Sequence, residues 1–597
     1  MTPSERKALV RELESLPAGT LVKRTIRGAE RFYHQWREDG RTRSRYLTRD
    51  EADELRRQVM RKKELKRLLA GRENVPRAPA AASYRTDIAT GRALVELTKG
   101  VEGLETRDMF PAVMKYLRSD STDRVLIVCG LRRTGKTTML RQAIRALSPA
   151  ERRLAAYVKI SETDTMAALK ADLTALHDAG VKFVFIDEVT LMEDFIDTAS
   201  VLSDLFAGMG MKIVLSGTDS LGFWFAEHDE LYDRAFTLHT TFIPFREHAR
   251  LLGTNDIDDY IGFGGTLRTG SILFDHRDAK NDAASFRSDE TTRFYIDTAI
   301  ARNIQHSLKC VDSGRHFRLL IELYEAGELT NAINRIIEDM NHRFVLQVLE
   351  REFESGDLKL AKRNLVRSAD AARQSEAILR TDVPKVTRRL MDILDIRNAD
   401  GRKLGLTDGC AEQIREYLAA LDLIVPCPVE YMGKTRSASE RILFAQPGMR
   451  FCQAQALVFA LMADKALARA SALERKIVRD AILDEVRGRM LEDIVLLETI
   501  KAKASETTSV FKLQFAAGEF DMVIADGESL TCELFEVKHS TERDDRQLRH
   551  LVDREKLAAT EHRYGEITSR TVLYRGRDFR HPSGVIYRNV EKYLMSL

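Results

Sequence analysis

The chain has 597 residues, about four times a typical domain length, which predicts three to five domains. Hydrophobic residues make up 44% and charged residues 31%, a balance that excludes a disordered chain. The longest apolar runs, Val125–Cys129 and Leu457–Met462, fall far short of the roughly 18 residues of a membrane span. The opening MTPSERKALV lacks a signal-type apolar stretch, and the cysteines are scattered without a C-x-x-C pair. These features predict a cytoplasmic protein with no disulfide framework, no cysteine-built zinc site and no membrane partner. Net charge is only +3, but the first 80 residues hold 21 Lys and Arg against 12 Asp and Glu, a net of +9. The remainder is therefore −6, and a basic head on an acidic body suggests an anionic polymer gripped at the N-terminus, or a solvated helix face.

Leu21–Ile26 and Arg31–Arg37 read as short strands, the second alternating Phe32, His34 and Trp36 against Tyr33, Gln35 and Arg37. Asp39-Gly40 supplies a two-residue turn, and Arg41–Leu47 is the return strand. Thr48 or Asp50 then caps a helix to about Leu69, rich in Arg and Lys. Three strands and a basic helix look like the arm-type DNA-binding domains of tyrosine recombinases. Arg41, Arg43 and Arg45 alternate onto one strand face, as phosphate or base contacts require, and Arg37 is a further candidate. The alternative is a small sheet used for protein contacts, and charge patterning does not separate DNA from RNA.

Residues 71–84, with Pro76, Pro79 and a run of alanines, read as a linker. Helical sequence follows to about Arg118, and from Arg124 strands and helices alternate as in a parallel α/β domain. The apolar strand ending at Cys129 feeds Gly130-Leu-Arg-Arg133-Thr134-Gly135-Lys136-Thr137-Thr138, and Met139–Leu147 is helical. This is G-x-x-x-x-G-K-T in its strand–loop–helix context, where backbone N–H groups and a helix N-terminus face phosphate oxygens. Lys136 would neutralise the β/γ-phosphates of ATP, and the Thr137 hydroxyl would ligate Mg²⁺.

A second strand, Phe183–Ile186, ends in Asp187-Glu188: one carboxylate for the Mg²⁺ shell, the other to polarise the attacking water. A third, Lys212–Leu215, runs into Ser216-Gly217-Thr218, where Ser216 could sense the γ-phosphate or simply form a turn. Arg234 could reach a phosphate in cis or in trans, or make a surface ion pair.

Beyond about residue 290 the pattern is helical until strands return near Val510. Glu519–Ile524 and Leu534–Lys538 read as two strands carrying Asp521 and Glu536-x-Lys538, the D…(D/E)-x-K arrangement of restriction-endonuclease-like nucleases. The i, i+2 spacing puts Lys538 on the face of Glu536, and two carboxylates converging on Mg²⁺ with a lysine on the water is the chemistry such a pattern serves. Glu492 is the candidate upstream helix carboxylate, with Glu498 as competitor. The rival reading is a charged strand edge with a structural Glu–Lys pair. His239, His248 and His539 have no metal-ligand spacing and read as structural.

In order, GLRRTGKTT, FIDEVTLMEDF, VLSGTDSLGF, ELYDRAFTLHTTFIPFREH and YIGFGGTL resemble the prokaryotic AAA+-type ATPases of the archaeal-ATPase group. The resemblance covers roughly residues 85–597. It implies a winged-helix segment after the ATPase, with Thr407–Leu423 and Leu443–Gly448 as helix and wing, and a C-terminal PD-(D/E)XK domain. It also places Arg234 in a G-R-x-R-like region, although Asp233 departs from that pattern, and implies a homo-oligomer.

The expected chain is thus a multidomain α/β protein. Residues 1–70 form a basic three-strand module, 71–84 a linker, 85–285 an AAA+-like P-loop core, 286–470 a helical and winged-helix region, and 471–597 a nuclease-like domain. The expected function is ATP hydrolysis coupled to DNA processing with a Mg²⁺-dependent nuclease. The alternative is an ATP-driven switch or loader whose nuclease-like domain binds without cutting.

Overall fold

The computed structural model describes residues 20–26, 29–38, 41–48, isolated positions from 51 to 62, and residues 84–218. It further describes 222–223, 226, 230–267, 289–301, 317–355, 407–433, 439–463 and 472–597. The predicted linker lies almost wholly outside the described residues, as do the Asp39-Gly40 turn and most of the basic helix.

The chain divides into two compact units, Met1–Ala81 and Ala82–Leu597. In the first, β1 (Thr20–Ile26), β2 (Ala29–Glu38) and β3 (Arg41–Leu47) form an antiparallel meander. Glu38 pairs with Arg41, the register a two-residue connection demands. Thr48 is the helix cap. Its backbone N–H donates to Glu51 at 2.8 Å, and the Glu51 N–H donates to its hydroxyl at 3.4 Å, a reciprocal capping box. Leu47, Ala52 and Leu55 form a small buried cluster on which Phe32 packs.

The second unit holds two sheets. In the first, β4 (Asp87–Thr90), β5 (Val125–Cys129), β6 (Ala155–Lys159), β7 (Phe183–Asp187), β8 (Lys212–Gly217) and β9 (Ala235–His239) lie in the order β4-β6-β7-β8-β5-β9. All neighbours are parallel except β4 and β6. Helices α1 (Gly91–Thr98), α2 (Phe110–Arg118), α3 (Lys136–Ala146) and α4 (Met166–Asp178) cover it. With both faces covered, β5 is buried at every position, which is why it reads as an unbroken apolar run. Each such Val or Ile contributes about 1.5–3 kcal/mol of burial. The carboxyl ends of β5, β7 and β8 face one crevice, where ligands bind in open α/β sheets.

Two short helices follow, α5 (Phe245–Leu252) and α6 (Ile257–Phe263), then α7 (Asp289–Ile296), α8 (Arg318–Glu325) and α9 (Leu329–Ser355). Helix α10 (Asp408–Ala420), capped by Thr407, leads into the hairpin β10 (Ile424–Tyr431) and β11 (Ser439–Phe444). Then come α11 (Pro447–Ala463) and α12 (Ala472–Lys503), the latter about 48 Å long at 1.5 Å per residue.

The final sheet adds β12 (Thr508–Gln514), β13 (Glu519–Asp526), β14 (Thr531–Lys538), β15 (Glu566–Tyr574), β16 (Phe579–Arg580) and β17 (Ile586–Asn589), with α13 (Arg554–Tyr564) and α14 (Val590–Met595). Its order is β11-β10-β12-β13-β14-β15-β17-β16. Leu443–Gly448, expected as the wing of a separate region, is the end of β11 and the start of α11, and the β10–β11 hairpin continues the C-terminal sheet, with β10 parallel to β12 through Val429 and Lys512. The cores likewise cross the expected divisions at 285 and 470. One runs from Ile127 and Ile186 to Ile333 and Tyr417, and another joins Phe245 and Tyr260 to Met490, Met522 and Val537. Among the described residues, no helix is long and apolar enough to cross a membrane.

Candidate functional sites

The loop after β5 is shaped by contacts that leave no room for side chains. Gly130 has φ 142°, and a Cβ there would stand 2.4 Å from Thr240 Oγ1 and 2.9 Å from the Thr241 nitrogen. Gly135, at φ 88°, caps α3. Lys136 folds back over the loop and donates to the carbonyls of Gly130 and Leu131, both at 2.8 Å. Burial pushes its ammonium down to about 8, against the charges of Glu188 and Asp187. Thr134 is not aimed at a ligand: its hydroxyl donates to Leu131 O at 2.9 Å and lies 2.6 Å from Thr240 Oγ1.

Asp187, at the end of β7, gathers four donors. Thr137 Oγ1 approaches at 3.0 Å, Tyr157 Oη at 2.6 Å and Lys159 Nζ at 3.1 Å, and Ser216 Oγ also donates. Burial works against its ionisation, but Lys159 and the hydroxyls of Ser216 and Tyr157 outweigh it and hold the carboxyl below its usual range. The next residue, Glu188, sits at φ 60° and takes a hydrogen bond from Thr218 Oγ1 at 3.3 Å. Ser216 thus orients Asp187, while Thr218 stands beside the second carboxylate. Tyr157 and Lys159 were not singled out by sequence; their i, i+2 spacing at a strand end was the signal available.

Arg234 requires a correction, because the structure does not bring it to the loop of its own chain. Its carbonyl accepts from Val125 N, at the opposite end of β5. Five residues at about 3.3 Å each separate it from Gly130. Its guanidinium pairs with Asp204 at 2.9 Å and donates to Glu230 O at 2.9 Å.

Arg107, which no sequence pattern flagged, braces the loop from behind. It pairs with Glu247 at 2.6 Å, with side-chain exposures of 3% and 1%. It also donates to Thr134 O at 2.6 Å, Thr240 O at 3.1 Å and Phe242 O at 2.9 Å.

The segment after α6 runs across the outside of the loop. Leu267 N donates to Arg133 O at 2.9 Å, and Tyr295 Oη donates to Arg132 O at 3.2 Å. Gln446 Nε2 ties Tyr295 Oη at 3.1 Å to Gly265 O at 3.0 Å. At the other end of α6, Asp258 meets His539 Nε2 at 2.7 Å and ion-pairs with Arg575, and Arg575 also reaches Asp256 at 3.0 Å. A helix and the four residues after it therefore link the residue after Lys538, through Asp258, to the phosphate loop, through Leu267.

In the C-terminal sheet the Met522–Phe535 pairing puts Asp521 and Glu536 across from each other. Asp521 accepts from Val537 N at 2.9 Å and Lys538 Nζ at 3.0 Å, and Glu536 lies 2.8 Å from Lys538. Burial opposes the charge on Asp521, but Lys538 and Lys512 hold it far below the carboxylate range; burial raises Glu536, against Lys538. Glu492 is at this cluster, 2.5 Å from Arg489 and 3.4 Å from Lys512. Glu498 is elsewhere: it accepts from Phe245 N at 2.6 Å, and burial pushes it up to about 8.

His239 lies 3.5 Å from Cys129 Sγ, and His248 packs edge-on against Tyr260. In the first unit, Arg43 and Arg45 lie on an exposed stretch of β3, and Arg45 pairs with Glu51 at 2.6 Å. The side chains of Arg37 and Arg41 lie outside the described residues.

Two family models match the chain. Residues 122–249 match an AAA domain, and residues 2–57 match a domain of unknown function (DUF6788). No match was found among the curated proteins. The first match encloses the loop, Asp187, Glu188 and Ser216, and it supports reading this part of the chain as an AAA-type P-loop ATPase domain.

Proposed function

We propose that the chain is an ATP-driven switch: the P-loop core binds and hydrolyses ATP, and the C-terminal domain responds to the nucleotide while the basic N-terminal module holds DNA. The observation that carries this reading is the stretch 258–267, in which Asp258 on α6 contacts the strand end at His539 and Leu267, just beyond the helix, contacts the loop at Arg133.

A triphosphate offers Lys136 stronger acceptors than the carbonyls of Gly130 and Leu131, so binding draws the ammonium onto the β- and γ-phosphates. Thr137 and Asp187, already 3.0 Å apart, fit as the pair that would hold Mg²⁺. That ion would supply charge neutralisation at the β- and γ-phosphates. Tyr157, Lys159 and Ser216 keep Asp187 ionised and fixed. Glu188, held by Thr218, polarises the attacking water. A change at Arg133 or Gly135 then passes through Leu267 to α6 and on to His539 and Arg575. An arginine from a neighbouring copy completing the site belongs to the same proposal, since Arg234 does not reach its own loop.

The test is ATP turnover with and without duplex DNA. Wild type should be stimulated by DNA, and Asp258→Ala should keep basal turnover while losing the stimulation. Equal turnover with and without DNA in wild type would end the switch reading. The sequence pattern of Asp521, Glu536 and Lys538 carries the rival reading of a Mg²⁺-dependent nuclease, which the donor set of the cluster does not fit. It predicts plasmid cleavage that disappears when Asp521→Ala and Lys538→Ala are combined.

A further inference from the structure

The C-terminal carboxylate cluster holds a cation that belongs to the chain. Lys512 stands on β12, and the β12–β13 register slips beside it: between the pairs Phe511–Val523 and Leu513–Phe520 it alone faces two residues of β13, Asp521 and Met522. An irregularity of this kind re-aims a side chain of the bulged strand, and here Asp521 is brought opposite the ammonium of Lys512. It lies 2.9 Å from Glu519, 3.4 Å from Glu492 and 3.5 Å from Asp521, with 2% of its side chain exposed. An ammonium has three donors, and three carboxylates surround this one.

The rest of the cluster is compensated in the same way. Arg489 takes Glu492 at 2.5 Å and approaches Glu519 at 3.6 Å, and Lys538 takes Asp521 and Glu536. On the far side of Glu492, Asp493 is shared by Arg441 at 2.5 Å and Arg450 at 2.6 Å. The two oxygens of Asp521 face Lys512 on one side and Val537 N with Lys538 on the other. Of the Glu536 oxygens, Oε1 is buried without a hydrogen-bond partner. A single oxygen is not a ligand set for a divalent ion, and among the described residues no group of three or more His, Cys, Asp or Glu is arranged to hold a metal. The donor set therefore does not fit the Mg²⁺ that the D…(D/E)-x-K pattern implies.

We propose that Lys512 is the resident cation of this cluster and that the C-terminal domain works without a divalent metal. Burying three carboxylates around one point is tolerable only with positive charge between them, so Lys512 substitutes for an ion rather than helping to bind one. Removing the ammonium should turn the same carboxylates into a metal site.

Mn²⁺ binding to the full-length protein without nucleotide tests this, followed by electron paramagnetic resonance of the free ion. Asp521→Ala serves as the background that cancels any ion held at the phosphate loop. Wild type and Asp521→Ala should bind the same amount. Lys512→Met should gain about one Mn²⁺ per chain, and that gain should vanish when Asp521→Ala is added. Wild type binding an ion that Asp521→Ala loses would overturn the proposal, as would a folded Lys512→Met that gains none. Should Lys512→Met not fold, the wild-type comparison still decides, and Lys512→Arg should fold and stay metal-free. Mg²⁺-dependent DNA cleavage lost in Asp521→Ala would likewise overturn it.

Discussion

Replacing Arg107 by alanine should uncouple the phosphate loop from the body of the core. The guanidinium gives Nε and Nη2 to the two oxygens of Glu247 at 2.6 and 2.9 Å, and its remaining donors reach three carbonyls. Its removal leaves Glu247, 1% exposed, with a hydrogen bond from Asp108 N at 2.7 Å as its remaining partner among the described residues. Breaking a buried pair on one side costs about 3–5 kcal/mol. Each carbonyl left dry adds about 1–3 kcal/mol unless water enters the space. Water can enter a cavity of guanidinium size, so the expected total stays near the pair value, about 4 kcal/mol. Because Thr134 belongs to the loop, ATP affinity should also fall, by tenfold or more, equivalent to about 1.4 kcal/mol. Arg107→Lys keeps the charge but spans fewer acceptors, and should recover part of the stability and little of the affinity. Urea unfolding and titration with a fluorescent ATP analogue read the two effects. An Arg107→Ala protein within about 1 kcal/mol of wild type and with unchanged ATP affinity would refute the bracing argument.

Glu188→Gln should bind ATP within a few-fold of wild type while turnover falls by roughly 10²–10⁴, the usual contribution of a general base. A rapid-quench assay separates these, and loss of binding instead would make Glu188 structural. Glu498 gives a pH signature. Its folded value of about 8 lies above the ordinary 4.5, so its contribution to stability is full below pH 4.5 and is lost as pH rises toward 8. Each pH unit in that window costs about 1.4 kcal/mol. Glu498→Gln should flatten this part of the Tm–pH profile, and an unchanged slope would show that Glu498 is ionised in the folded protein.

The phosphate loop was legible because its chemistry is contiguous: residues 130–138 carry the glycines, the lysine and the hydroxyl on one turn. Asp187 and Glu188 were legible because an apolar strand points at them. What surrounds them was not. Tyr157 and Lys159 reach Asp187 across a strand pairing, and Arg107 meets Glu247 over 140 residues of sequence, distances at which pattern carries no signal. Arg234 follows the motif order, but parallel strand direction places it at the wrong end of β5. Thr407–Leu423 and Leu443–Gly448 resemble a helix and a wing, and it is the pairing of Val429 with Lys512 that reveals β10 as part of the C-terminal sheet. The meeting of Asp521 with Lys512 depends on an extra residue in β13, which periodicity cannot express.

The central claim is that the loop at 130–138 turns over ATP. Steady-state phosphate release by the full-length protein, compared with Lys136→Ala, tests it most directly. Turnover that falls to background in the variant, with the fold unchanged by circular dichroism, is the predicted result. Turnover that survives in Lys136→Ala, or is absent from wild type with Mg²⁺ and DNA both present, would contradict it.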